Sequence, residues 1–145
     1  MTKKELKYHR LYIDLAERIA LMSYAKRLKV GSVLVKNDNI ISFSWNGTPS
    51  GFDNNCEHDS IDQNGNEVLT TKSEVLHAES NVLLKAARNG VNTKDSILYI
   101  THAPCQQCAK LILQASINDV FYKNVYRDVG GIDFLKKCGI KVTKL

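Results

Sequence analysis

Two short stretches carry the groups that could do chemistry: His77-Ala78-Glu79, and Pro104-Cys105-Gln106-Gln107-Cys108. One imidazole and two thiols form a donor set that zinc takes, and three protein ligands leave a fourth position for water. An open position marks a catalytic site, since structural zinc is usually closed by four protein ligands. Glu79 follows the histidine by two residues, so its carboxylate falls near the metal without having to be a ligand. From there it can take a proton from metal-activated water and pass it to a leaving group. A lone Cys-x-x-Cys would read equally well as a zinc-knuckle scaffold or a redox dithiol. The upstream His-x-Glu and the proline before Cys105 favour the catalytic reading.

Such a site needs particular elements around it. Cys105 and Cys108 are three apart, so one helical turn presents both sulfurs on one face. Pro104 is expected where that helix begins, the position at which its missing N–H costs least. The unpaired N–H groups of a helix start favour thiolate over thiol. His77 falls near the start of an apolar, alanine-rich stretch, Val75 to Ala87, with Ser73 or Thr71 expected to cap it. Two helix starts are thereby expected to aim at one metal.

At 145 residues with 43% apolar content, the chain is expected to form one domain over 1–145 with a real core. No apolar run approaches membrane-spanning length, so no membrane partner is expected. Met1 to Glu5 lack the apolar core of a signal peptide, which suggests a cytoplasmic protein. In that compartment the cysteines, Cys56 and Cys138 among them, are metal ligands or free thiols rather than disulfides. The net charge of +5 is a mild bias towards anionic partners. The 20 Lys and Arg are scattered and form no basic, aromatic groove, so no nucleic-acid partner is expected.

Leu6 to Met22 repeats Tyr8, Leu11, Tyr12, Leu15, Ile19 and Met22 at three- and four-residue steps, which predicts an amphipathic helix against a sheet. His9 beside that stripe reads as a surface or packing histidine. Val30–Lys36 and Ile40–Trp45 predict an antiparallel hairpin turned by Asn37-Asp38-Asn39. From Asn46 to about Lys72 no regular period survives, so a long functional or mobile loop is expected. Asn64-Gly65 could turn a small hairpin inside it. The His77 helix should stop at Gly90. Ser96–Thr101, Asp119–Lys123 and Ile140–Thr143 predict three more strands. The Cys helix, running to Ala115, and an Ile132–Lys137 helix opened by Gly130-Gly131 fall between them. This alternation favours parallel pairing through right-handed crossovers. The expected fold class is α/β, a three-layer α/β/α sandwich around a mixed five-stranded sheet.

The order of elements and both metal motifs resemble the cytidine deaminase superfamily and, within it, the deoxycytidylate deaminases. The resemblance is carried by Lys29-Val30-Gly31-Ser32-Val33, Trp45 through Gly51, His77 through Asn81, Ala86 through Gly90, and Thr101 through Ile112. Its most discriminating part is Asn46-Gly47-Thr48-Pro49-Ser50-Gly51, similar to that family's nucleotide-binding loop. Ser44 stands where the family usually has Gly, and Val82 where Ala is common.

The resemblance implies hydrolytic deamination of dCMP to dUMP, with Zn2+ on His77, Cys105 and Cys108 and with Glu79 shuttling protons. It implies that Asn46 meets the sugar, Tyr126 the sugar–phosphate, and the Ala78 backbone the base edge. Lys29, Thr48 and Arg88 are candidates for phosphate or subunit contacts, and equally a strand-end charge, a loop hydroxyl and a helix-end cap. Regulation by dCTP and dTTP is implied too, with Gly47, Gly51, Phe52 and Asp53 as a candidate effector site and Mg2+ on the triphosphate. So is a homo-oligomer, a hexamer being favoured. Some relatives carry a second, structural zinc. Here Cys56 and His58 read as a free cysteine beside a surface histidine. The rival readings are a deaminase of another cytosine or adenine compound, cytidine or tRNA adenosine included, and a zinc-stabilised nucleotide-binding module without catalysis.

Overall fold

The structure is a computed structural model that describes all 145 residues. In chain order it runs α1 (Lys3–Ala20), β1 (Gly31–Lys36), β2 (Asn39–Trp45), β3 (Glu57–Ile61), β4 (Glu67–Thr71) and α2 (Ala78–Arg88). It continues with β5 (Ile97–His102), α3 (Gln106–Gln114), β6 (Asp119–Asn124), α4 (Gly130–Lys137) and β7 (Lys141–Lys144). Five strands make one mixed sheet in the order β2-β1-β5-β6-β7. β1 is antiparallel to both β2 and β5. β5, β6 and β7 are parallel, joined by α3 and α4 as crossovers, as the alternation of elements predicts.

Helices cover both faces. On one face Tyr12, Ile13 and Ala16 of α1 pack on Val33, Val35, Tyr99 and Phe121 of the sheet. On the other, Val82 and Ala86 of α2, Ala109 and Ile112 of α3 and Leu135 of α4 pack on Leu34, Leu98, Ile100 and Val120. Alternate residues of β1 and β5 thus serve opposite layers, as the period of a strand requires. No helix is long and apolar enough to cross a membrane.

Two expectations about local structure are corrected. The buried face of α1 is Tyr12, Ile13, Ala16 and Ala20, while Tyr8, Leu11 and Met22 of the predicted stripe are exposed. The small residues win because the helix lies on the backbone of β1. A Cβ on Gly31 would overlap the Ala16 carbonyl, so only glycine allows that approach. The second correction concerns caps. Thr71 ends β4 and Ser73 lies in the turn after it, so neither caps α2; His77 itself is the N-cap. Similarly Cys105, rather than Pro104, opens α3.

The region read as a long loop contains the small hairpin for which Asn64-Gly65 allowed. β3 and β4 pair antiparallel as a separate two-stranded sheet. Asp62 closes the turn by accepting the N–H groups of Asn64 and Asn66, both at 2.9 Å. Most residues of both strands are exposed, so no apolar alternation announces them. The end of β2, the start of β1, and the carboxyl ends of β5 and β6 all lie at one edge of the large sheet. That edge is where an open α/β sheet places its ligand crevice.

Candidate active site

Two helix starts meet at this edge, and each begins on a metal-type ligand. His77 is the N-cap of α2 and Cys105 the N-cap of α3. The His77 Nδ1 lies 3.6 Å from Cys105 Sγ and 3.4 Å from Cys108 Sγ. Zinc–nitrogen bonds of about 2.0–2.1 Å and zinc–sulfur bonds of about 2.3 Å at tetrahedral angles put nitrogen and sulfur about 3.6 Å apart. The three side chains therefore fit one zinc ion. Their ligand atoms all lie within 4.8 Å of one another, and they are the one group of three or more such residues in the chain. Zinc is bound by His77, Cys105 and Cys108, and no fourth protein ligand stands with them.

The electrostatics favour metal binding. Cys105 Sγ accepts the backbone N–H of Cys108 at 3.5 Å, so the helix start stabilises the charged sulfur. Hydrogen bonds from Cys108 and His77 hold the Cys105 thiol well below its ordinary range. Cys108, sharing a proton with that thiolate and buried, is held above its own. Contact with Cys105 likewise raises His77. Glu79, in the first turn of α2, is only 5% exposed. Burial pushes its carboxyl up to about 7, against the pull of its own backbone N–H and of His77. A carboxyl there can both accept and release a proton near neutrality.

The sheet fixes this geometry through hydroxyls and close contacts. Ser32 and Ser42, buried serines in otherwise apolar strands, donate to the carbonyls of Ala78 at 2.8 Å and Val82 at 3.0 Å. Asn81 donates to the Trp45 carbonyl at 2.9 Å, and Ser80 to that of His77 at 2.9 Å. α4 presses on the cysteine loop: a Cβ on Gly131 would overlap the Pro104 carbonyl.

In front of the cluster lies a cavity of about 430 Å³, of nucleotide size. His77, Ala78, Glu79 and Cys105 line it, and so do Asn46 and Tyr126. Asn46 is already engaged, accepting the Val30 N–H at 2.9 Å and donating to the Leu28 carbonyl at 2.8 Å. Each end of its amide has one further bond to give. Lys29, Thr48 and Arg88 are not in the lining. Thr48 donates to the Asp53 carbonyl within its own loop at 2.8 Å, and Arg88 sits in the last turn of α2. Gly47, Gly51, Phe52 and Asp53 also lie outside the cavity. Cys56 is buried and unpaired with another cysteine, and His58 is exposed.

Sequence reasoning missed five lining residues: Arg27, Glu57, Thr71, His102 and Arg127. Glu57 is buried, and its Oε1 accepts the backbone N–H groups of Lys26 at 2.8 Å and Arg27 at 3.1 Å, while its Oε2 has no partner. His102 meets Thr101 Oγ1 at 3.0 Å, and its partial burial lowers its pKa. A charged residue in the 46–72 segment that had to be buried was the one available hint. Nothing in the sequence marks which residue that is.

The family model for the cytidine and deoxycytidylate deaminase zinc-binding region matches residues 3–124. The dCMP deaminase of cyanophage S-TIM5, solved in complex with dCMP and dUMP, aligns over 100% of both chains with a TM-score of 0.87 and 42% identity. The deoxycytidylate deaminase of Enterobacteria phage T4 is 31% identical over 79% of this chain and 77% of its own. The ComE operon protein 2 of Bacillus subtilis (strain 168) is 30% identical over 86% of this chain, which spans 63% of that relative's length.

Proposed function

Because the chain belongs to the cytidine and deoxycytidylate deaminase family, we propose that it acts over 1–145 as one zinc-dependent domain and hydrolyses dCMP to dUMP and ammonia. The observation that carries this reading is the three-ligand cluster with buried Glu79 beside it, at one end of a nucleotide-sized cavity. Bound zinc supplies a Lewis acid that makes a water nucleophilic at neutral pH. Glu79 takes a proton from that water, delivers it to N3 of cytosine as C4 is attacked, and later protonates the amine leaving C4. One water is consumed and one ammonia released. A carboxyl near 7 suits a group that must bind and release protons in one cycle.

The wall residues have assigned roles in this reading. The backbone of Ala78 meets the base edge, Asn46 the sugar and Tyr126 the sugar–phosphate. Their support is that all three line the same cavity as Glu79. Comparing ammonia release from dCMP, cytidine, dCTP and an RNA hairpin tests the substrate. Preference for dCMP is expected, and equal or better turnover of the hairpin would overturn it.

Regulation by dCTP and dTTP belongs to the same reading, with Gly47, Gly51, Phe52 and Asp53 as the effector loop, Mg2+ on the phosphates and a hexameric assembly. Its support is a short physical path. Gly47 and Leu76 exchange backbone hydrogen bonds at 3.1 and 2.8 Å, and Leu76 immediately precedes the metal ligand His77. Movement of the loop would be felt at the metal. Activity that stays constant under titration with dTTP and dCTP would remove this part.

A further inference from the structure

The cavity contains a feature that the deamination chemistry leaves unused. Apart from the histidines, its cationic residues are Arg27, before β1, and Arg127, after β6. Neither is paired with a carboxylate, since the one ion pair of the protein is Lys123 with Glu17. Arg27 is nevertheless held firmly. Its backbone N–H is bound by Glu57 Oε1 at 3.1 Å, and its Nη1 donates to Thr71 Oγ1 at 3.0 Å. Glu57 and Thr71 are register partners across β3 and β4, so one rung of the small hairpin grips both the backbone and the side chain. One of the five guanidinium donors is thereby used, and the others stay free on a fixed plane.

We infer that Arg27 and Arg127 read the 5′-phosphate of the substrate, and that the β3–β4 hairpin positions Arg27 through Glu57 and Thr71. The inference rests on the mononucleotide reading of the same cavity. A planar guanidinium matches phosphate oxygens in pairs, and two of them balance a dianion better than a lone lysine could. The hairpin buries little apolar surface of its own, which suits an accessory whose work is placement. Thr71 acts through Arg27 and is a positioning residue.

The test is kcat/KM on dCMP and on deoxycytidine, which lacks the phosphate, with dUMP binding by calorimetry as a second readout. Arg27→Gln and Arg127→Gln are each expected to lower the dCMP-to-deoxycytidine ratio by about 10- to 100-fold, the worth of a hydrogen bond to a charged group. dUMP should weaken by a similar factor. Thr71→Val should raise KM for dCMP with kcat held, and Thr71→Ser should restore it. Zinc content and circular dichroism report that each variant is folded. If folded, zinc-loaded Arg27→Gln and Arg127→Gln keep the wild-type ratio and dUMP affinity, the assignment is wrong while dCMP hydrolysis stands. If the wild type itself shows no preference for dCMP over deoxycytidine, the mononucleotide reading falls and takes this assignment with it.

Discussion

At the scale of residues, the site works by setting protonation states through placement. The helix start under Cys105 favours a charged sulfur, and burial of Glu79 favours a carboxyl that still holds its proton near neutral pH. Glu79→Gln keeps the shape and the cavity but cannot carry a proton. It should retain zinc, measured by atomic absorption, and lose turnover by about 10²–10⁴-fold, the usual worth of general acid–base catalysis. Activity within a few-fold of wild type in that variant would remove Glu79 from its role. His77, Cys105, Cys108 and Glu79 were legible in the sequence because metal coordination demands few residue types at tight spacings. Arg27 and Arg127 were not legible, because an arginine becomes a phosphate reader only through what surrounds it. Those surroundings come from a hairpin and from a loop a hundred residues along the chain. Lys29 was the plausible wrong choice. It lies two residues from Arg27, outside the lining.

At the scale of elements, the two ligand-bearing helices are held by contacts in which small residues matter more than large ones. Gly131 lets α4 seat directly against the Pro104-Cys105 backbone. Gly131→Ala should therefore displace α4 or the cysteine loop. The expected cost is about 1–3 kcal/mol in urea unfolding, in line with overpacking elsewhere, with faster loss of zinc to a chelator. An unchanged chelation rate would mean that α4 does not brace the metal loop. The five sheet strands and three of the four helices could be read from apolar period and turn residues, since each buries a clear face. The face of α1 was misread because Ala16 and Ala20, weak in any apolar pattern, give the closest approach to the sheet. β3 and β4 were visible as no more than a turn signal. Their pairing rests on Asp62 in the turn and on contacts to the 25–30 segment, not on a buried stripe.

At the scale of the whole molecule, the sheet divides the labour: one face carries α1 and an aromatic cluster, the other the helices that build the site. His9 belongs to the first. Its ring stacks on Phe121 at 4.1 Å between centroids, and its Nδ1 lies 2.7 Å from the Tyr99 hydroxyl. Burial lowers its pKa, with Glu5 and Asp119 opposing and Lys141 assisting. The folded state therefore binds a proton less readily than the unfolded chain, whose histidines titrate near about 6.5. The stability that follows is present above that pH and is lost as pH falls from there towards the lower folded value. Thermal unfolding at pH 7.5 and 5.5 should show a smaller drop for His9→Gln than for wild type; equal drops would exclude His9 as a source. His102 shifts in the same direction and remains in both proteins, so the comparison isolates His9. The central claim is that an open, three-ligand zinc site with Glu79 turns dCMP into dUMP. The most direct test is ammonia release from dCMP by protein of known zinc content, before and after chelation and zinc return. One zinc per chain, activity lost with the metal and regained with it, and dUMP as product are the predicted result. Full activity in zinc-free protein, or a zinc-loaded protein that leaves dCMP untouched, would contradict the claim.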